Sequence, residues 1–191
     1  MLRWTKKMRS AGKGREDYAA PSDFCAVFLQ QLDRLYSLAL FLTGDELTAE
    51  ECLLAAFDSC EQRGLVFKDS AVSWSRRNVI KIAIRCMSPA PFGPVRPYSL
   101  GHRSGPNCDQ DVSIKCLLEL PDFDRFAFVM SVLEGYSDRE CALLLNRSCA
   151  DLVAARIRAF QQISRRLTDM YPSYGSGAQP YVVDADWLEC G

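Results

Sequence analysis

Long apolar runs are missing from this sequence. Nowhere do the roughly 18 to 20 consecutive apolar residues of a membrane span occur, so membrane insertion is not expected. Behind the basic stretch MLRWTKKMRSAGKGRED there is neither an apolar segment nor a cleavage-site pattern, and the expected location is the cytoplasm. A single histidine, His102, leaves little to activate a nucleophile, and there is no G-x-x-x-x-G-K-[ST] loop and no H-E-x-x-H pair. An enzyme is therefore not expected. The nine cysteines (Cys25, Cys52, Cys60, Cys86, Cys108, Cys116, Cys141, Cys149 and Cys190) contain no C-x-x-C spacing and are odd in number. They read as reduced thiols acting as small apolar side chains. With only Cys108 near His102, a zinc site would have to be assembled from distant segments, and no cofactor is expected.

What is present is an ordinary globular composition: 191 residues, 48% hydrophobic, net charge −1, enough to bury a core in one medium or two small domains. The near-neutral sum hides a bias between the ends. Arg3, Lys6, Lys7, Arg9, Lys13 and Arg15 face only Glu16 and Asp17, whereas Asp184, Asp186 and Glu189 close the chain with no base after Arg166. The basic arm, residues 1–21, either adds non-specific phosphate contacts or is a solvated tail.

Hydrophobic periodicity is helical throughout. Over residues 22–43 the apolar positions Phe24, Val27, Phe28, Leu32, Leu35, Leu38, Ala39 and Leu42 recur at three and four, predicting one long amphipathic helix stopped by Gly44. Thr48 followed by Glu51 reads as a capping box opening a second helix to about residue 63, and a third is expected over 70–87. Residues 88–108 then interleave Pro89, Pro91, Pro94, Pro97 and Pro106 with Gly93, Gly101 and Gly105. That composition suits neither helix nor central strand and reads as a linker between two domains, 22–87 and 109–170. In the second, a short helix ends at Leu120-Pro121 and a longer one over 122–133 is stopped by Gly135. Ser137 and Glu140 form another capping box for a short helix stopping at Asn146-Arg147, and Ser148 caps a final helix over 149–170. Two helices separated by such a turn make a helix-turn-helix, whose second helix enters a DNA major groove; the same spacing also builds ordinary helical hairpins. Leu117, Phe123, Phe126, Phe128, Val129, Leu133, Leu143, Leu144, Leu152, Ile157 and Phe160 are the expected core of this half. Residues 171–191 read as a tail.

The stretch from 120 to 160, LPDFDRFAFVMSVLEGYSDRECALLLNRSCADLVAARIRAF, resembles the promoter-reading domain of RNA polymerase sigma factors of the extracytoplasmic-function type. Leu120-Pro121, Arg125, Phe128-Val129, Leu133-Glu134-Gly135, Ser137, Glu140, Ala142, Leu145, Ser148 and Arg158-Ala159 carry the likeness. Residues 35–57, LYSLALFLTGDELTAEECLLAAF, are similar to the start of the sigma domain that docks on the polymerase clamp, through Ala39-Leu40, Leu42-Thr43-Gly44-Asp45, Ala49-Glu50 and Phe57. Trp74, Arg77 and Asn78 resemble its following helix. The resemblance implies an all-α, two-domain protein without catalytic chemistry. Its implied partners are core RNA polymerase and promoter DNA, with an anti-sigma protein as a further candidate.

Residue by residue, the resemblance assigns DNA contact to Arg147, Ser148, Asp151, Ala155, Arg156 and Arg158, and polymerase contact to Glu50, Glu51, Leu54 and Phe57. Trp74, Arg76, Arg77 and Lys81 are candidates for single-strand contact, one cation per turn following a phosphate strand and an indole stacking on a base. The other reading of that helix is a half-buried tryptophan on a solvated basic face. The chain departs from the family where Leu54 stands in place of a glutamine, whose amide hydrogen bonds a leucine cannot make. It departs again at Asp151, an acid expected near phosphates. Residues 120–170 also balance seven bases with seven acids, where a DNA reader usually has a basic surplus. Two functions follow: a sigma factor that reads promoters, or a degenerate relative acting through protein contacts.

Overall fold

The computed structural model describes residues 17–61, 66–93 and 108–170, and these are all-α, with no strand among them. Residues 1–16 of the basic arm, most of the linker including His102, and the tail lie outside the described residues. The predicted helix over 22–43 is two helices, α1 (Pro21–Gln30) and α2 (Leu32–Thr43), bent by 77° at Gln31. No glycine or proline marks this break. Its reason is tertiary: Phe24 and Phe28 on α1, and Leu35, Leu38 and Leu42 on α2, are all buried, and both helices pack on the same two neighbours, α3 (Glu46–Glu61) and α4 (Ala71–Met87). A straight helix would carry one of the two stripes away from that core.

Gly44 ends α2 as expected, at φ 75°, with its amide donating to Leu40 O at 2.7 Å. The cap of α3 is not the expected Thr48–Glu51 box. Asp45 Oδ2 accepts from the Thr48 amide and from Thr48 Oγ1, both at 2.8 Å, so the helix begins earlier and Thr48 is a donor within its first turn. A 3-10 turn, Lys68–Ser70, leads into α4. An isolated bridge between Tyr18 and Phe67, with their rings stacked at 4.9 Å, ties the segment before α1 to that turn.

Beyond the linker come α5 (Cys108–Leu118) and α6 (Asp122–Phe128), which continues as a π-helical turn, Val129–Leu133. Gly135, at φ 71°, then reverses the chain. The Ser137–Glu140 box forms as read: Glu140 N donates to Ser137 Oγ at 3.3 Å and Ser137 N to Glu140 Oε2 at 3.0 Å. It opens α7 (Asp138–Leu145), which Asn146 ends at φ 52°, and α8 (Cys149–Met170) follows. Of the expected core positions, Leu133 (48% exposed), Leu143 (74%), Ile157 (51%) and Phe160 (48%) are instead substantially open. Leu152, Ala155 and Ala159 form the buried stripe of α8, and small residues there bring α8 close to α6.

The buried side chains of residues 17–93 and of 108–170 form one continuous cluster, with α2 meeting α5, α6 and the π-helical turn. At this seam Arg125, 1% exposed, donates from Nη1 to Leu118 O and Leu120 O (both 3.2 Å), and from Nη2 to Asp122 Oδ1 (2.8 Å) on its own side. Across the seam it donates to Leu42 O (3.2 Å from Nη2) and Thr43 O (3.4 Å). Those are last-turn carbonyls of α2, which lack intrahelical donors and sit at the negative end of the helix dipole. Gly44 leaves room for the guanidinium: a Cβ there would lie 3.4 Å from Arg125 Cζ.

Arg125→Ala removes the buried donor shared by Asp122 and four carbonyls, so it should destabilise by about 3–5 kcal/mol and lower Tm by on the order of 10 °C. Arg125→Lys should recover only part of this, because one ammonium cannot fork to both helix ends. Calorimetry of the purified variants reads both.

Candidate nucleic-acid interface

The unit formed by α7, the turn Asn146-Arg147-Ser148 and α8 is organised by local caps and by two cross-element ion pairs. Ser148 Oγ accepts from Asp151 N at 3.1 Å, and Asp151 Oδ2 accepts from Ser148 Oγ at 2.7 Å and from Ser148 N at 3.3 Å. Asp151 is thus half of a capping box, an acid folded onto the positive end of α8, rather than an unpaired charge facing phosphates. Arg156 makes a two-pronged ion pair with Asp138, the prong from Nη2 at 3.3 Å, and this joins α8 to the start of α7. Arg158 pairs with Asp124 at 2.6 and 3.0 Å, joining α8 to α6. Hydrogen bonding to Asp124 raises the proton affinity of Arg158, against the partial burial that opposes it.

Of the expected DNA contacts, therefore, Arg147, Ser148 and Asp151 are exposed at the turn, while Arg156 and Arg158 are engaged within the protein. Ala155 is fully buried and faces α8's packing neighbours, so it cannot reach a groove. The residue missed from sequence is Arg139, exposed on the first turn of α7 and lining one shallow groove with Arg147, Ser148, Cys149 and Asp151. Neither Arg139 nor Arg147 has an ion-pair partner among the described residues.

On α4, Trp74 is half-buried with its ring tilted against Phe24 at 5.4 Å, a packing contact with α1. Arg76 Nη2 reaches both oxygens of Glu134 at 2.8 Å. Arg77 and Lys81 are exposed. With Trp74 they line a groove of about 510 Å³ whose other wall is Leu143 and Leu144 of α7.

The expected polymerase contacts lie on α3. Glu50 and Glu51 are exposed, Leu54 is 65% exposed, and Phe57 is half-buried with its edge on Phe28 at 5.2 Å. Leu47, 71% exposed two turns before Leu54 on the same face, completes a strip of two leucines and two acids. Periodicity alone does not separate such outward leucines from core ones.

No protein-family model matches the chain, and no curated protein matches it. No group of three or more potential metal ligands occurs among the described residues, and no single helix there is long and apolar enough to cross a membrane.

Burial pushes the Cys52 thiol up to about 12 and Cys141 to about 11, nearby acids adding to the latter. At pH 8 native protein should therefore take up iodoacetamide at Cys25, Cys86 and Cys149, which are exposed, and not at Cys52, Cys60, Cys116 or Cys141, which are buried. Peptide mass spectrometry checks this, and early labelling of Cys52 would contradict the packing of α3 on α4.

Proposed function

We propose that this protein is a sigma-factor-like subunit for transcription initiation, acting in the cytoplasm with core RNA polymerase and promoter DNA and without catalysis of its own. The observation that carries the reading is the α7–turn–α8 unit. A capped short helix, a three-residue turn and a long amphipathic helix expose their junction to solvent, and two unpaired arginines, Arg139 and Arg147, flank it. The positive end of α8 and these two cations favour phosphate, while the first two turns of α8, with Cys149, Ala150 and Ala154 exposed, are left to meet base edges. On the other half, the strip of Leu47, Glu50, Glu51 and Leu54 offers a protein-binding face of mixed apolar and acidic character. In this reading the two sets of helices are two functional domains. One is held by polymerase and the other by DNA, so weak contacts of the second are raised by tethering to the first.

The second reading, a regulator that works through protein contacts alone, rests on the ion pairs of the same unit: Arg156 and Arg158 are occupied by Asp138 and Asp124, leaving few cations for DNA. Co-purification of the tagged protein with core RNA polymerase, followed by run-off transcription, separates the two. A sigma-like subunit gives stable association and promoter-dependent transcripts; a protein partner captured without polymerase favours the regulator.

Arg139→Ala and Arg147→Ala should each weaken promoter binding by the polymerase complex about threefold to tenfold, across promoter sequences, and lower the salt dependence by about one ion. Leu54→Glu, on the opposite strip, should abolish co-purification while leaving Tm within a few degrees, since surface changes rarely exceed about 0.5 kcal/mol.

A further inference from the structure

The groove at the α7–α8 junction, about 610 Å³ in volume, carries two kinds of unmet group. Arg139 and Arg147 are exposed cations with no ion-pair partner among the described residues, and they stand near the positive end of α8. Leu143, four residues after the first and four before the second, is 74% exposed and lines the same groove. Asp151, the one acid on this lining, has its carboxylate spent on Ser148. A ligand therefore meets an apolar step flanked by two guanidinium groups.

The same chain holds a segment of the opposite pattern. Residues 184–189, DADWLE, set Trp187 among Asp184, Asp186 and Glu189, and no base follows Arg166. Residues 171–183 separate this segment from Met170, the end of α8, and a tether of that length spans up to about 43 Å. The way back along α8 from Met170 to Cys149 is about 32 Å at a helical rise. The acids thus reach the junction from the far end of the helix. Tethered in this way, they meet the groove at an effective concentration on the order of millimolar.

We propose that residues 184–189 dock in the junction groove of their own chain, their carboxylates on Arg139 and Arg147 and Trp187 against Leu143. A carboxylate pairs with a guanidinium as a phosphate does, and an indole packs on an apolar side chain or over a cation. The consequence for DNA rests on the proposed function above: tail and phosphate backbone take the same two cations. A tail docked in about nine molecules of ten weakens duplex binding about tenfold.

Cys149 is exposed on the lining of the groove and Cys190 directly follows Glu189, so docking brings two thiols together. The full-length protein is treated with the short crosslinker bismaleimidoethane, and the linked peptides are identified by mass spectrometry. Docking predicts an intrachain Cys149–Cys190 link in preference to links from Cys190 to Cys25 or Cys86, which are also exposed. It predicts a severalfold loss of that link in Arg139→Ala/Arg147→Ala and in Asp184→Asn/Asp186→Asn/Glu189→Gln. Links from Cys190 spread evenly over Cys25, Cys86 and Cys149 overturn the proposal, as does a Cys149–Cys190 yield that neither variant lowers. Duplex binding is then read by fluorescence anisotropy. The tail variant should bind about fivefold to tenfold tighter, whereas Asp33→Asn/Asp58→Asn/Asp69→Asn, an equal change of charge at exposed acids away from the groove, should not. Equal tightening by both overturns the competition. A specific Cys149–Cys190 link with unchanged duplex affinity in the tail variant upholds docking and removes the DNA reading of the junction instead.

Discussion

The guanidinium of Arg125 is where the local architecture of this protein becomes one body. A buried cation is expensive unless every donor is used, and here the donors are shared between the ends of two helices from different halves of the chain and one acid, Asp122. The arrangement needs Gly44 to end α2 tightly and to leave room for the planar group, and it needs the Leu120-Pro121 turn to deliver two free carbonyls. The bend at Gln31 serves the same end, since it buries α1 and α2 on one core while α2 also meets α5 and α6. A residue that reads in sequence as one position of an L-P-x-x-x-R pattern is, in space, the tie between α2 and α6.

That tie bears directly on function. The same closure that buries Arg125 brings Glu134 to Arg76 and α7 against α4, while it leaves the α7–turn–α8 junction and the outer strip of α3 open. The three candidate surfaces therefore differ in accessibility within one conformation. Among the described residues the turn, with Arg139 and Arg147, is open, as are Leu47 and Leu54; the α4 cations are partly answered by the chain's own acids.

Features set by a few neighbouring residues were legible in the sequence. The helical period, the stop at Gly44, the Ser137–Glu140 box, the Ser148 cap and the turn at Asn146 all follow from backbone groups that need partners within four residues. What was not legible is tertiary. Nothing local marks the break at Gln31, and Asp45 takes over the capping of α3 because its carboxylate reaches the Thr48 amide first. Among the site residues, Arg147 and Ser148 are exposed at the turn. Ala155 belongs with Leu152 and Ala159 to a buried stripe at helical spacing, which the chain's own pattern contained. The partners of Arg156 and Arg158 lie 18 and 34 residues away, and no spacing rule finds an ion pair at that range. Ile157, Phe160 and Leu143 misled in the opposite direction, since apolar residues at core spacing can equally face a partner.

In the proposed function, the junction of α7 and α8 meets duplex DNA when the protein is bound to polymerase. A photo-crosslinking amino acid in place of Ala150, exposed on the first turn of α8, tests it in an extract that contains RNA polymerase and genomic DNA fragments. Crosslinks to double-stranded DNA that depend on polymerase and disappear with Arg147→Glu are expected. Crosslinks to protein alone, unchanged by that substitution, would contradict it.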